Sequence, residues 1–163
     1  MNSLNFRSNN KGFTLVEVLV AVVILSIGLL AVAGMQTTSL RGGNSALLRS
    51  QAVLGAEDIL DRMRANRVAF NQYVIDMDEP DHSSLTDPDN LDEWRNALAA
   101  LTTPYTGMVL TDLAEWKFFL ARNLPSGEGS VAVNGNVVTV VVQWQDSYGG
   151  ADEGNQVEMV TRL

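Results

Sequence analysis

The chain has 163 residues, no cysteine, and 19 acidic against 11 basic side chains, for a formal charge of −8. That length suits one domain with one core beside a long helix. The lack of cysteine rules out a disulfide framework or a thiolate metal site, and an acidic surface repels nucleic-acid phosphates.

In chain order, the first feature is a polar leader, residues 1–12, whose charged side chains are Arg7 and Lys11 and whose last residue is Gly12. An apolar run follows from Phe13 to Met35, interrupted by a single charge, Glu17. At about 1.5 Å per residue, a helix over this run covers a hydrocarbon core of roughly 30 Å. The cations before the run favour a cytoplasmic N-terminus, although Arg41 and Arg49 beyond it weaken the bias. A rival processing site exists at Ala31-Val32-Ala33, where cleavage after Ala33 would discard the run and release a soluble domain. Against it, the run before that site is longer than an ordinary signal core and contains Glu17. A carboxylate in hydrocarbon costs about 2.5–3.5 kcal/mol at mid-membrane and less near an end. Glu17 either snorkels to the interface or answers a partner.

The stretch Lys11-Gly12-Phe13-Thr14-Leu15-Val16-Glu17 and the run after it resemble the processing site of type IV prepilins and of the related pseudopilins of type II secretion. The resemblance implies cleavage after Gly12 on the cytoplasmic side by a prepilin peptidase, which also methylates the new amino terminus at Phe13. It makes 1–12 the leader peptide, 13–35 the transmembrane and assembly helix, 36–68 an amphipathic helical continuation and 69–163 a globular α+β head. It also assigns Glu17 to assembly, pairing with the methylated amine of a neighbouring subunit.

Beyond the run, Leu48, Ala52, Ala56, Ile59, Leu60 and Met63 recur at three- and four-residue spacing, which predicts a helix with one apolar face ending near Arg64 to Val68. Arg41-Gly42-Gly43-Asn44 separates the two halves, and two adjacent glycines cost about 2 kcal/mol relative to alanine in a helix. A hinge or melted turn, or a simple break between helices, is expected there. Tyr73 to Glu93 reads as a long, polar, acidic loop. Asp87-x-Asp89 begins like a calcium loop, but Leu91 stands at the third ligand place and the required glycine is missing, so a solvated loop is the preferred reading. His82 sits in this loop with no second histidine or cysteine to make a metal site.

Two short helices follow, each carrying Leu-x-Glu-Trp-basic-x-x-Leu: Leu91 to Leu98 and Leu113 to Leu120, with the apolar stripes reaching Leu101 and Leu124. The helical register of Trp94 and Trp116 favours burial over a carbohydrate-binding platform. Asp112 with Glu115 resembles a capping box for the second helix, and Pro125 stops it. Val131 to Val133 and Asn136 to Trp144 form a hairpin about Asn134-Gly135, with Val138, Val140, Val142 and Trp144 on one face. A third strand runs from Gln156 to Leu163, after a glycine-rich acidic loop over 145–155. The expected fold is α+β: a long N-terminal helix, membrane-spanning in its first half and amphipathic in its second, packed on a small C-terminal antiparallel sheet.

That element order is also similar to pilins. The tail, Glu115-Trp116, then Leu124-Pro125-Ser126-Gly127-Glu128-Gly129-Ser130-Val131, then Val142-Gln143-Trp144-Gln145-Asp146, most resembles the PilV-type minor pilins. The absence of the paired C-terminal cysteines of many major pilins fits a minor subunit better. No nucleophile and base pair, and no phosphate-binding glycine loop before a helix, points to an enzyme. The resemblance implies a non-catalytic minor pilin that helps initiate or assemble a type IV pilus. The alternatives are a minor pseudopilin of a type II secretion system, or a secreted periplasmic binding domain cleaved after Ala33. The implied partners are other major and minor pilin subunits, the prepilin peptidase, an inner-membrane assembly platform and, as a further candidate, a tip adhesin. No cofactor, metal or nucleic acid is expected. The implied location is the inner membrane, single-pass with the head in the periplasm, and later the pilus at the cell surface.

Overall fold

A computed structural model describes residues 12–80, 85–101, 105–145 and 155–163 of the chain. Two compact units meet at Gly42 and Gly43. One helix, α1, runs from Leu15 to Ala65. It continues through Arg41-Gly42-Gly43-Asn44 without a melted turn, so the break expected at the paired glycines is absent. The hydrogen-bonded turns on both sides carry the glycines, and no atom lies within 4 Å of where a Cβ on either would sit.

In the first unit every described residue is exposed, and the apolar window of α1 has a mean hydropathy of 2.9 with none of it buried. The second unit has a core. Its part of α1 buries Leu48, Ala52, Ala56, Ile59, Leu60 and Met63, the stripe that the spacing predicts, together with Gly55.

After a short 3₁₀ turn at Phe70–Gln72 the chain reaches α2 (Leu91–Ala99) and α3 (Gly107–Asn123). Asn90 caps α2, its side chain accepting from Asp92 N–H at 3.0 Å. Trp94 and Trp116 are fully buried, which settles them as core anchors rather than an exposed sugar platform. Each indole N–H has a carbonyl to bond: Trp94 donates to Pro88 O at 2.9 Å and Trp116 to Gly55 O at 2.8 Å. α3 begins about two turns earlier than a cap at Asp112 would place it, with Thr106 at its N-cap. Asp112 and Glu115 are therefore mid-helix, and the capping-box reading is wrong.

The sheet is an antiparallel meander, β1 (Glu128–Asn134), β2 (Val137–Trp144) and β3 (Asn155–Arg162), in the order β1-β2-β3. Its register sets Val131 against Val140 and Val133 against Val138, so the two turn residues are Gly135 and Asn136 rather than Asn134 and Gly135. Only Gly135 of the two takes a positive φ, +60°, the arrangement of a II′ turn with glycine first. Val138, Val140, Val142 and Trp144 are buried, as the alternation predicts.

α3 touches both α1 and the sheet. A Cβ on Gly55 of α1 would come within 2.8 Å of Leu120 Cδ2, and one on Gly129 of β1 within 2.6 Å of both Leu120 Cδ1 and the Trp116 ring. The core is thus built around α3, not simply by laying the meander on α1. The segment read as a polar loop also contributes to it. Tyr73 and Ile75 are buried, and Ile75 bridges the outer edge of β1 through paired 3.0 Å bonds with Val131. His82 and most of the glycine-rich loop lie outside the described residues.

Candidate functional site

The motif residues sit at the start of α1. Gly12 and Phe13 precede the helix and are exposed, Phe13 by 83%. The Gly12-Phe13 bond therefore lies outside the helical hydrogen-bond ladder. The rival position after Ala33 is inside α1, and the Ala33 carbonyl also accepts from Thr37 Oγ1 at 3.0 Å.

Thr14 is the helix cap. Its carbonyl accepts from Glu17 N–H at 3.1 Å and Val18 N–H at 3.3 Å, while its Oγ1 accepts from Glu17 N–H at 3.3 Å. This satisfies one of the donors that a helix start leaves open. The Thr14-x-x-Glu17 spacing is the one that marks such caps, and read only as part of a cleavage motif it conceals the structural role of Thr14. Glu17 lies in the first turn, where a negative charge also suits the positive end of the helix dipole.

Ser26 within the run and Thr38 just beyond it are satisfied within the helix: Ser26 Oγ donates to Val22 O at 2.7 Å and Thr38 Oγ1 to Gly34 O at 3.2 Å. The Glu17 carboxylate differs. Among the described residues it forms no hydrogen bond or ion pair, so its oxygens are open to a partner. An apolar surface bare on all sides, with one open carboxylate at its end, is suited to lipid or to other helices.

The head has two further polar centres. Arg62 of α1 bonds Asp58 at 2.9 Å, Asp112 at 3.1 Å and Glu115 at 2.7 Å, clasping α1 to α3. Burial opposes its charge, but the bonds to Glu115 and Asp112 and the field of Asp58 outweigh that and hold the guanidinium protonated. Tyr73 donates to Asp112 and accepts from Asn66 Nδ2 at 3.2 Å. Burial first, then that bond to Asp112, pushes its phenol up to about 12.

Lys117, on α3, is 2% exposed and donates to the carbonyls of Asp76 at 2.9 Å and Met77 at 3.0 Å. Burial pulls its ammonium down to about 7 against the opposing fields of Glu128, Glu79, Asp78 and Asp76. Sequence pattern marks neither centre, because Arg62 lies fifty residues from Asp112 and Lys117 is charged in a helix whose other face looks like ordinary core.

In the acidic loop, Glu93 Oε2 accepts from the backbone N–H groups of Thr86 and Asp87, each at 2.8 Å, and Asp87 Oδ1 accepts from Asp89 N–H at 3.2 Å. These carboxylates tie the loop to its own backbone. Among the described residues no three acidic or histidine side chains converge as a metal site.

A family model for the prokaryotic N-terminal methylation motif matches residues 7–33, and a model described as type IV pilin Tt1218 matches residues 34–100. No curated protein and no solved structure matches the chain. The first match covers Gly12, Phe13, Glu17 and most of the apolar run, and the second covers the rest of α1, the loop and α2. The tail that resembles PilV-type minor pilins, from Glu115 onward, lies wholly beyond both. Together with the long apolar helix and the small antiparallel sheet, these matches identify the chain as a type IV pilin-like protein that carries an N-terminal methylation motif.

Proposed function

We propose that this chain is a minor pilin, a non-catalytic subunit that helps initiate or assemble a type IV pilus. The observation that carries the reading is the bare apolar helix whose one open carboxylate, Glu17, stands four residues after the exposed Phe13. Prepilin peptidase removes residues 1–12 by cutting after Gly12 and methylates Phe13. Residues 13–35 hold the subunit in the inner membrane as a single pass, the 36–68 segment continues α1 as far as Ala65, and the head, 69–163, waits in the periplasm.

On assembly, the apolar helix exchanges lipid for the helices of major and minor pilins, driven from an inner-membrane platform. The Glu17 carboxylate then pairs with the methylated amine of a neighbouring subunit. A buried ion pair need not stabilise on balance, but stranding one partner costs about 3–5 kcal/mol, so the pair fixes the register of insertion. The absence of cysteine supports a minor rather than a major subunit.

The test is to delete the chain and to look for it in filaments sheared from cells. A minor pilin is recovered in the sheared fraction at low abundance, and its loss lowers the number of surface filaments. Unchanged filaments with a lost secretion of folded proteins would assign it to type II secretion instead.

A further inference from the structure

The two outer edges of the sheet differ. Ile75 covers β1 at Val131, while β3 has no neighbour on its far side among the described residues. Leu163 N–H donates to Asn136 O at 2.9 Å, so the odd-numbered residues of β3 turn their backbone groups toward β2. Gln156, Glu158, Val160 and Arg162 then turn theirs outward, and all four are exposed. Beside this edge lies a groove of about 520 Å³ between Glu57, Asp61 and Arg64 of α1 and Met159, Val160 and Thr161 of β3, so α1 does not close over it. An open edge is a template for another strand, and charges normally guard it.

Here the charges select a partner. We propose that β3 pairs antiparallel with β3 of a second copy of this chain, crossing at Val160. In that register Glu158 of each copy faces Arg162 of the other, and the two Val160 side chains, each 61% exposed, meet at the centre. On the opposite face Val157 meets Leu163 and Met159 meets Thr161. Crossing at Glu158 or at Arg162 sets like charges opposite, which is destabilising, and crossing at Met159 sets Glu158 against valine. The strand is thus complementary to itself in one register. Such a contact is isologous and closes at two copies. It is independent of the pilus reading.

The full chain in isolated membranes provides the test, because it has no cysteine of its own. Facing residues of the pair stand with Cα atoms about 5.5 Å apart, within the range a disulfide bridges. Under a mild oxidant, Val160→Cys is expected to form a covalent dimer. Gln156→Cys, on the same exposed face but beyond the overlap, is expected to form at least about tenfold less. Adding Glu158→Arg to Val160→Cys should lower the dimer about tenfold through two like-charge contacts, and adding Arg162→Glu as well should restore it. Equal dimer from Val160→Cys and Gln156→Cys, or dimer indifferent to Glu158→Arg, overturns the proposal. If Val160→Cys does not accumulate, co-expressed Glu158→Cys and Arg162→Cys chains decide: a mixed dimer supports the pairing and its absence refutes it.

Discussion

Glu17 has two physical roles that a substitution can separate. As a first-turn acid beside the Thr14 cap it stabilises the start of α1, which typically amounts to about 0.3–1 kcal/mol. In the proposed assembly its open carboxylate, set in an apolar run, answers a charge on another chain. Glu17→Leu removes the ion from the membrane segment, so the variant should be retained in the inner membrane at least as well as the native chain. Its incorporation into filaments should fall, because the neighbour's amine is left unpaired. Sheared filaments and membranes from both strains give the comparison, with the N-terminus of the variant checked for methylation. Equal recovery from filaments would leave only the local role.

Lys117 makes a separate prediction for the head. Its folded pKa of about 7 lies below the ordinary 10.5, so between these values the unfolded chain holds a proton that the folded chain has released. The unfolded state binds more protons there, and stability must rise with pH across that window. Below pH 7 the group is charged in both states and adds no slope. Above about pH 10 the trend reverses, since Tyr73 and Tyr105 are both pushed up to about 12 and keep their protons longer when folded. Denaturation midpoints should rise from about pH 7 to pH 9, and Lys117→Met should flatten that rise. A native chain with a flat profile over this range would show that the ammonium is not desolvated as its burial implies.

At the level of elements, close approach to α3 dictates the glycines of the tail. A Cβ on Gly127 would lie 2.3 Å from the Leu120 carbonyl oxygen, a backbone atom that cannot turn aside. Gly127→Ala should therefore destabilise the head by about 1–3 kcal/mol. Gly42→Ala meets nothing within 4 Å and should strengthen its helix by about 1 kcal/mol, with no loss of stability in the head. Chemical unfolding of the two variants checks the contrast; equal effects would contradict the packing described. The same packing explains what could be read from sequence. The α1 stripe and the β2 face were legible, since burial imposes periods of about 3.6 and 2 residues. The start of α3 was not: Asp112 and Glu115 imitate a cap, and their true partner, Arg62, is remote in sequence. The turn slipped because both Asn134-Gly135 and Gly135-Asn136 keep the valines on one face, and only the φ of Gly135 separates them. Tyr73 and Ile75 looked like loop because their neighbours are polar and their partners, Asp112 and Val131, come later in the chain.

For the molecule as a whole, the motif stretch stands out in the sequence because an apolar run with a single charge is read from composition alone, whereas the head's clasp depends on tertiary contacts. The division at Gly42 and Gly43 separates an unburied helix from a unit with its own core. Residues from about Ser45 onward should therefore fold without the apolar run and stay soluble, with a cooperative transition by circular dichroism. A gradual, non-cooperative melt would mean that the core needs the first unit. The proposed function requires that the apolar run be retained as an assembly helix after cleavage at Gly12. Its most direct test is the N-terminus of the mature membrane form, read by sequencing and mass spectrometry. A start at Phe13 with a methylated amine is the expected result; a start at Gly34 would mean that the run is discarded.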